Sequence, residues 1–453
     1  MGSGRPVIYL HVGAMKTGTT FLQHLMHANR DNLLAAGFLV AGDRTEQGNA
    51  TRDILGTAAK TPERLAQCEG TWNELVGRMF AHRGEASLFS MEFLSFADRE
   101  QAARVVDSLE GADVHIILTV RDATGALPSQ WQTHARNGGG VPWPKFAKGV
   151  RKGVRSEGPP HGAGARTFLR AQGIPRMIDA WGSAVPPERF HIILVPPSGS
   201  DPMLLWERFA GVIGVDPGVC SISTPRNNPS LGYPSAELMR LINRRLGKLP
   251  PAQFDPTIKA ELATRILTER SPMEQSAQLN LSARRFAASW NRRVRRAIRA
   301  SGAHVVGDLN DLPGQLPDDA ELIFPKAFSR PRAEDILAAA GTARDGLIRL
   351  IRTRAGRLEA VGDRVDLGAL DTGDLPTAAT RWDAEADPVD AAVDELTALV
   401  RFAIEVQTRV EAAPALAHVR AGAPSSDTST GASDAMDAET AEAVADSFGV
   451  RKA

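Results

Sequence analysis

The sequence predicts an α/β fold with a central parallel sheet and helical additions at its C-terminal end. Two observations carry that reading. Up to about residue 230, short apolar and β-branched runs alternate with segments of helical periodicity. Those runs show little polar alternation, the pattern of strands covered on both faces. Beyond residue 230 the strand signals nearly stop and amphipathic helical patterns take over.

In chain order, residues 7–13 form a first strand, ending in glycine, and residues 20–32 carry Phe21, Leu22, Leu25, Met26 and Ala28 at helical spacing. Residues 86–94 read as a second strand and 98–110 as a helix. A third strand runs from Asp113 to Val120 and ends at Arg121-Asp122, before a helix over 123–136. Residues 166–184 are helical, and a fourth strand over 190–195 is halted by Pro196-Pro197. Helices follow at 234–247, 258–270 and 282–300, then a last short strand within 303–309. A second helical block covers 333–358 and 388–411, parted by an Asp/Thr/Gly-rich stretch at 362–377. From Ala421 the chain is rich in Ser, Thr, Asp and Ala, a composition expected to be disordered.

The chain has 453 residues with 53 basic and 53 acidic side chains, a net charge of zero. That balance argues against a broad nucleic-acid-gripping surface, and no nucleic-acid partner is expected. Cys68 and Cys220, the two cysteines, cannot make a disulfide framework, and no Cys/His zinc spacing exists, so no metal is expected. No run approaches the roughly 18 apolar residues of a membrane span, and the N-terminus enters the first strand without an apolar leader. A reducing, cytoplasmic setting is the expectation.

The sharpest motif is His11-Val-Gly-Ala-Met-Lys-Thr-Gly-Thr-Thr-Phe-Leu-Gln23. A glycine-rich turn between strand and helix aims backbone N–H groups and a helix N-terminus at one spot, which suits a phosphate. Against the nucleoside-triphosphate loop G-x-x-x-x-G-K-S/T, Gly13 and Gly18 keep the spacing and Thr20 holds the hydroxyl position. Thr19, however, stands where the lysine belongs, and the lysine has moved upstream to Lys16. The third strand ends in Arg121 rather than a magnesium-binding aspartate.

Lys16-Thr17-Gly18-Thr19-Thr20 resembles the K-S/T-G-T-S/T loop of sulfotransferases that use 3'-phosphoadenosine 5'-phosphosulfate (PAPS). The second motif of that family, an arginine at a strand end with a serine eight residues later, is matched by Arg121 and Ser129. A guanidinium fork and a hydroxyl suit a dianionic 3'-phosphate. The stretch Thr224-Pro-Arg226-Asn-Asn228-Pro-Ser230 is similar to a late loop of some bacterial relatives, in place of the R-K-G-x-x-G lid of better-known members. The resemblance spans about residues 6–232.

It implies a P-loop NTPase-like three-layer sandwich and sulfuryl transfer from PAPS to an acceptor hydroxyl on a carbohydrate, lipid or secondary metabolite, so that a small molecule or glycan is the expected partner. Lys16, Thr17, Gly18, Thr19 and Thr20 would hold the 5'-phosphosulfate, and Arg121, Ser129 and Arg226 the 3'-phosphate. Lys16 would also stabilise charge on the leaving bridge oxygen. The family places a histidine or glutamate base at or just past the end of the next parallel strand. Glu92, the one ionisable side chain between Ser87 and Ser95, matches that position.

Other features read more plainly. His11 is expected to be a hydrogen-bonded histidine beneath the loop, and His134 an exposed helix residue. Seven arginines between 284 and 299 read as a solvated helix face with Phe286, Trp290 and Ile298 turned inward. Gly138-Gly-Gly140 precedes a basic stretch (Lys145, Lys148, Arg151, Lys152, Arg155) read as an ordinary surface loop, with a glycine-hinged lid as the rival. Trp131, Trp143, Trp181 and Trp206 read as core or site-wall residues. Residues 1–320 are the expected catalytic unit, with an α/β core to about 230 and a helical part over 231–302. Residues 321–411 form a helical extension and 412–453 a tail. A P-loop kinase or hydrolase, and a non-catalytic binding protein on the same fold, are the alternatives.

Overall fold

The computed structural model describes residues 4–58, 61–155, 162–221, 231–370 and 381–413. The segment 222–230, which holds Arg226, and the tail from 414 lie outside the described residues.

The chain opens with β1 (Val7–Gly13) and α1 (Thr19–Ala28), which turns Leu22, Leu25 and Met26 inward. Asn29 then donates its side-chain amide to Leu25 O at 2.9 Å. The helix expected over 20–32 is therefore two helices, α1 and α2 (Arg30–Ala35). Next comes β2 (Phe38–Val40), whose three residues are too few to show a period in sequence. A capping box opens α3 (Arg44–Leu55): Glu46 N donates to Asp43, and Asp43 N donates to the Glu46 carboxylate. After α4 (Pro62–Cys68) and α5 (Thr71–Ala81) comes β3 (Ala86–Ser90). That strand stops four residues short of the predicted Leu94, because the chain coils into a 3-10 turn over Glu92–Phe96.

Asp98 and Gln101 form a second capping box at the start of α6 (Arg99–Asp107), and β4 (Asp113–Val120) and α7 (Ala123–Arg136) follow as predicted. The basic stretch read as a surface loop is instead a helix, α8 (Trp143–Arg155), with Trp143 and Val150 fully buried and Lys145, Lys148 and Lys152 outward. The single helix expected over 166–184 is α9 (Ala163–Gln172) and α10 (Ile174–Gly182), parted at Gly173. Pro175 forces the break, since its ring cannot follow a continuous helix. Then come β5 (Phe190–Leu194), α11 (Leu204–Ile213), α12 (Tyr233–Leu246) and α13 (Pro251–Phe254). The pattern at 258–270 is met by a π-helical segment, Asp255–Ile266, and 3-10 turns over Leu267–Met273. Asn280 caps α14 (Leu281–Ser301), and Gly302 at φ 68° ends it. The last elements are β6 (His304–Val306), α15 (Ala320–Ile323), α16 (Ala333–Glu359) and α17 (Pro388–Ala412).

All six strands lie in one parallel sheet in the order β2-β3-β1-β4-β5-β6. Helices cover both faces. On one, α1, α2 and α11 bury Leu22, Leu33 and Trp206 against Leu88, Ile117 and Ile193. On the other, Ile8, Leu10 and Val12 of β1 meet a larger core that includes Leu127, Met177 and Phe286. That core runs without a break into the C-terminal helices, because α12 packs on α7 and also on α16 and α17. No helix among the described residues is long and apolar enough to cross a membrane.

Candidate functional site

From the centre of the sheet, β1 leads the chain to β2 on one side, whereas its neighbour β4 leads to β5 on the other. Connections that diverge from adjacent strands leave a crevice beyond their carboxyl ends, where open α/β sheets bind ligands. Both sequence motifs lie there, one after β1 and one after β4. The strand ends are tied together, since Ala14 N donates to Thr119 O at 3.0 Å.

The loop after β1 needs its glycines. Gly13 has φ 109°, and a Cβ there would stand 3.2 Å from Glu92 O. Gly18 has φ 84°, and a Cβ would sit 2.4 Å from Leu205 Cδ2. Lys16 is the one non-glycine residue with positive φ, 63°, among the described residues. Such a backbone is held by its surroundings and is concentrated at ligand sites. Gln172 supplies part of that hold by donating to Met15 O.

Thr17 is fully buried; its hydroxyl donates to Ala14 O and lies 2.6 Å from Thr119 Oγ1. It therefore anchors the loop. Thr19 is buried and Thr20 half-buried at the start of α1, which has no side-chain cap. The first-turn N–H groups thus have no helical acceptor and carry the positive end of the dipole. His11 sits under the loop as expected, with Nδ1 2.8 Å from Ser90 Oγ and Nε2 3.3 Å from Thr119 Oγ1. Burial holds its pKa down at about 3, so it is neutral.

Arg121 follows β4 directly, and its side chain lies over the first turn of α7: a Cβ on Gly125 would approach the guanidinium to 3.0 Å. Gly125 and Ser129 are four residues apart, hence on one helix face. The structure so brings Arg121 and Ser129 to the same side of α7. Arg121 makes no hydrogen bond or ion pair among the described residues, and burial lowers its pKa from the ordinary value. The adjacent Asp122 is engaged elsewhere, accepting from Thr124 N at 3.0 Å and from Asn291 Nδ2. Asp122 beside it offsets only part of that desolvation, and a part-buried cation so placed gains from receiving an anion.

Glu92 lies on the opposite flank of the loop, just past β3, with its backbone against Gly13. It is only 4% exposed, so the loop and α1 enclose it. Two partners were not foreseen. Gln23 of α1 bridges Ser90 O at 2.9 Å and Glu92 Oε2 at 2.8 Å, and Arg44 Nη2 stands 3.8 Å from Glu92 Oε1. Gln23 falls four residues after Thr19, on the same helix face, so its spacing was a usable signal. Arg44 gave none, because its place depends on where α3 packs. His134 is not the exposed residue expected: it packs 5.5 Å from the Phe146 ring, and burial lowers its pKa. No family model, no curated protein and no solved structure matches this chain.

Proposed function

We propose that the protein is a PAPS-dependent sulfotransferase on a P-loop-like three-layer core. The observation that carries the reading is the pairing, at one switch point, of an uncapped glycine loop bearing Lys16 with the part-buried Arg121, which makes no hydrogen bond or ion pair among the described residues. Two anion sites on adjacent strand ends suit a nucleotide with phosphate at both its 3' and 5' positions. Glycine at 125 leaves room for the Arg121 fork on the helix face that also carries Ser129, which fits a dianionic phosphate.

The donor supplies a sulfuryl group on a good phosphate leaving group. Lys16 and the N–H groups from Thr17 to Thr20 hold the 5' end and stabilise charge developing on the bridge oxygen. Glu92, across the loop, takes the proton of the acceptor hydroxyl as that oxygen bonds to sulfur and the sulfur–bridge-oxygen bond breaks. Gln23 fixes the carboxylate's orientation. The acceptor is a hydroxyl on a carbohydrate, lipid or secondary metabolite.

Ligand-induced thermal shift tests the nucleotide reading. With 3',5'-adenosine bisphosphate and no magnesium, the melting temperature should rise, reflecting about 2.7 kcal/mol at a ligand concentration about 100-fold above Kd. ATP with magnesium should leave it unchanged. The reverse pattern would instead identify a kinase or nucleotide hydrolase.

A further inference from the structure

We infer a second anion site, separate from the nucleotide crevice: a groove between α14 and the following loop that takes a small molecule carrying several phosphate or sulfate groups. The groove has a volume of about 710 Å³ and is lined by Arg292, Arg295, Arg296 and Arg299 on one wall and by Asn310 and Pro313–Gln315 on the other.

An arginine stripe on a helix is commonly no more than a solvated face, and the rest of α14 shows what that looks like. Arg285 pairs with Glu321, Arg284 stacks on Phe324 at 4.0 Å, and Arg293 lies 5.5 Å from the Trp290 ring. The four groove arginines differ, for none has an ion pair or an aromatic partner among the described residues. Their partners are neutral: Arg292 donates to Gly314 O, and Arg295 reaches Asn310 Oδ1 at 3.4 Å. The loop's Asp308 and Asp311 do not line the groove, although Asp308 also accepts from Asn310 Nδ2 at 3.3 Å. Asp311 binds Arg208 at 3.1 Å, and Asp308 accepts from Asn310 N at 2.8 Å.

The loop comes this close because residue 314 is glycine; a Cβ there would lie 2.8 Å from Arg292 Cγ. The result is a concave wall with four fixed positive charges and no acidic lining residue. Positions 292, 295, 296 and 299 share one face over roughly 10 Å, at about 1.5 Å per residue. That length matches two or three anionic groups in a row. Guanidinium forks pair bidentately with oxyanions, and a row of them suits a ligand that carries several phosphate or sulfate groups.

Calorimetric titration of the full chain at about 0.15 M salt, with inorganic tripolyphosphate in one arm and sucrose octasulfate in the other, tests the assignment. At least one probe should bind, and the tighter one identifies phosphate or sulfate as the natural group. Arg296→Gln with Arg299→Gln removes two exposed charges and should weaken that binding by about 100-fold, about tenfold for each charge-assisted contact. Arg364→Gln with Arg401→Gln, equal in net charge but outside the groove, should leave it unchanged. Lys16→Ala should also leave it unchanged, which separates this site from the nucleotide crevice whatever that crevice binds. The assignment falls if neither probe binds, if both double variants lose affinity equally, or if Lys16→Ala alone abolishes binding.

Discussion

Arg121 is the residue on which the nucleotide reading turns, because its charge is partly desolvated and makes no ion pair within the described residues. Arg121→Ala should raise the Kd for 3',5'-adenosine bisphosphate by about 10- to 100-fold, the loss of a bidentate charge-assisted pair. Lys16→Ala should do likewise. Glu92→Gln should leave that affinity near normal and cut turnover about 100- to 10,000-fold; near-normal turnover with the true acceptor would remove Glu92 from the base role. Gly125→Ala separates binding from folding at the same place. Alanine is the better helix former by about 1 kcal/mol, yet its Cβ would press on the guanidinium. Melting temperature should hold or rise while bisphosphate affinity falls about tenfold.

Buried histidines set the acid limit. Burial holds His11 at about 3, and burial first, then neighbouring charges, hold His27 and His191 at about 4. Unfolded, each has a value near 6.5. Below that pH the unfolded chain takes up protons that the folded chain refuses, so stability is full above about pH 6.5 and declines as the pH falls toward 4. Melting temperatures recorded from pH 7 to pH 4 should show this fall, and His191→Gln should flatten it. His191 stands in a ladder, 2.9 Å from His115 and 3.2 Å from His304. Three separate strands build that ladder, and no spacing in the sequence announces it.

Among the elements, strands and helices bounded by local chemistry were legible. Asp98, Gln101 and Asn280 mark helix starts through their side chains and Gly302 a helix end through its left-handed backbone, which is why α6 and α14 fall where periodicity puts them. The misplaced boundaries have non-local causes. β3 ends at Ser90 because the following turn packs against Gly13, nearly 80 residues earlier in the chain. The π-helical segment 255–266 answers to α16 and α17, which press on it. Arg354 of α16 clamps that junction, donating to Thr257 Oγ1 at 2.9 Å, Ala403 O at 3.0 Å and Pro256 O at 3.1 Å. Arg354→Met should lower stability by about 2–3 kcal/mol, seen as a shift of the urea midpoint with unchanged slope.

Across the whole molecule, the C-terminal helices are part of the main core rather than an appendage. Ala339, Ala340, Ala343 and Leu347 of α16 and Leu396 and Val400 of α17 are fully buried in the cluster that also holds β1. A chain lacking residues 333–412 should therefore aggregate or elute as a broad, expanded species in size-exclusion chromatography. A compact monomer would show that the α/β part stands alone.

Strand, loop and helix succession, the glycine loop with Lys16 and the Arg121/Ser129 spacing were readable from the sequence, because each depends on residues close together in the chain. Periodicity, backbone freedom and charge are local properties. The tertiary structure decided that β1 and β4 are neighbours with diverging connections, that Gln23 and Arg44 close on Glu92, and that Gly125 makes room for Arg121. It also decided that four arginines of α14 line one groove beside the loop at 310–315. Those outcomes depend on which surfaces the packing of the sheet and helices brings together, and that information is spread over contacts between distant parts of the chain.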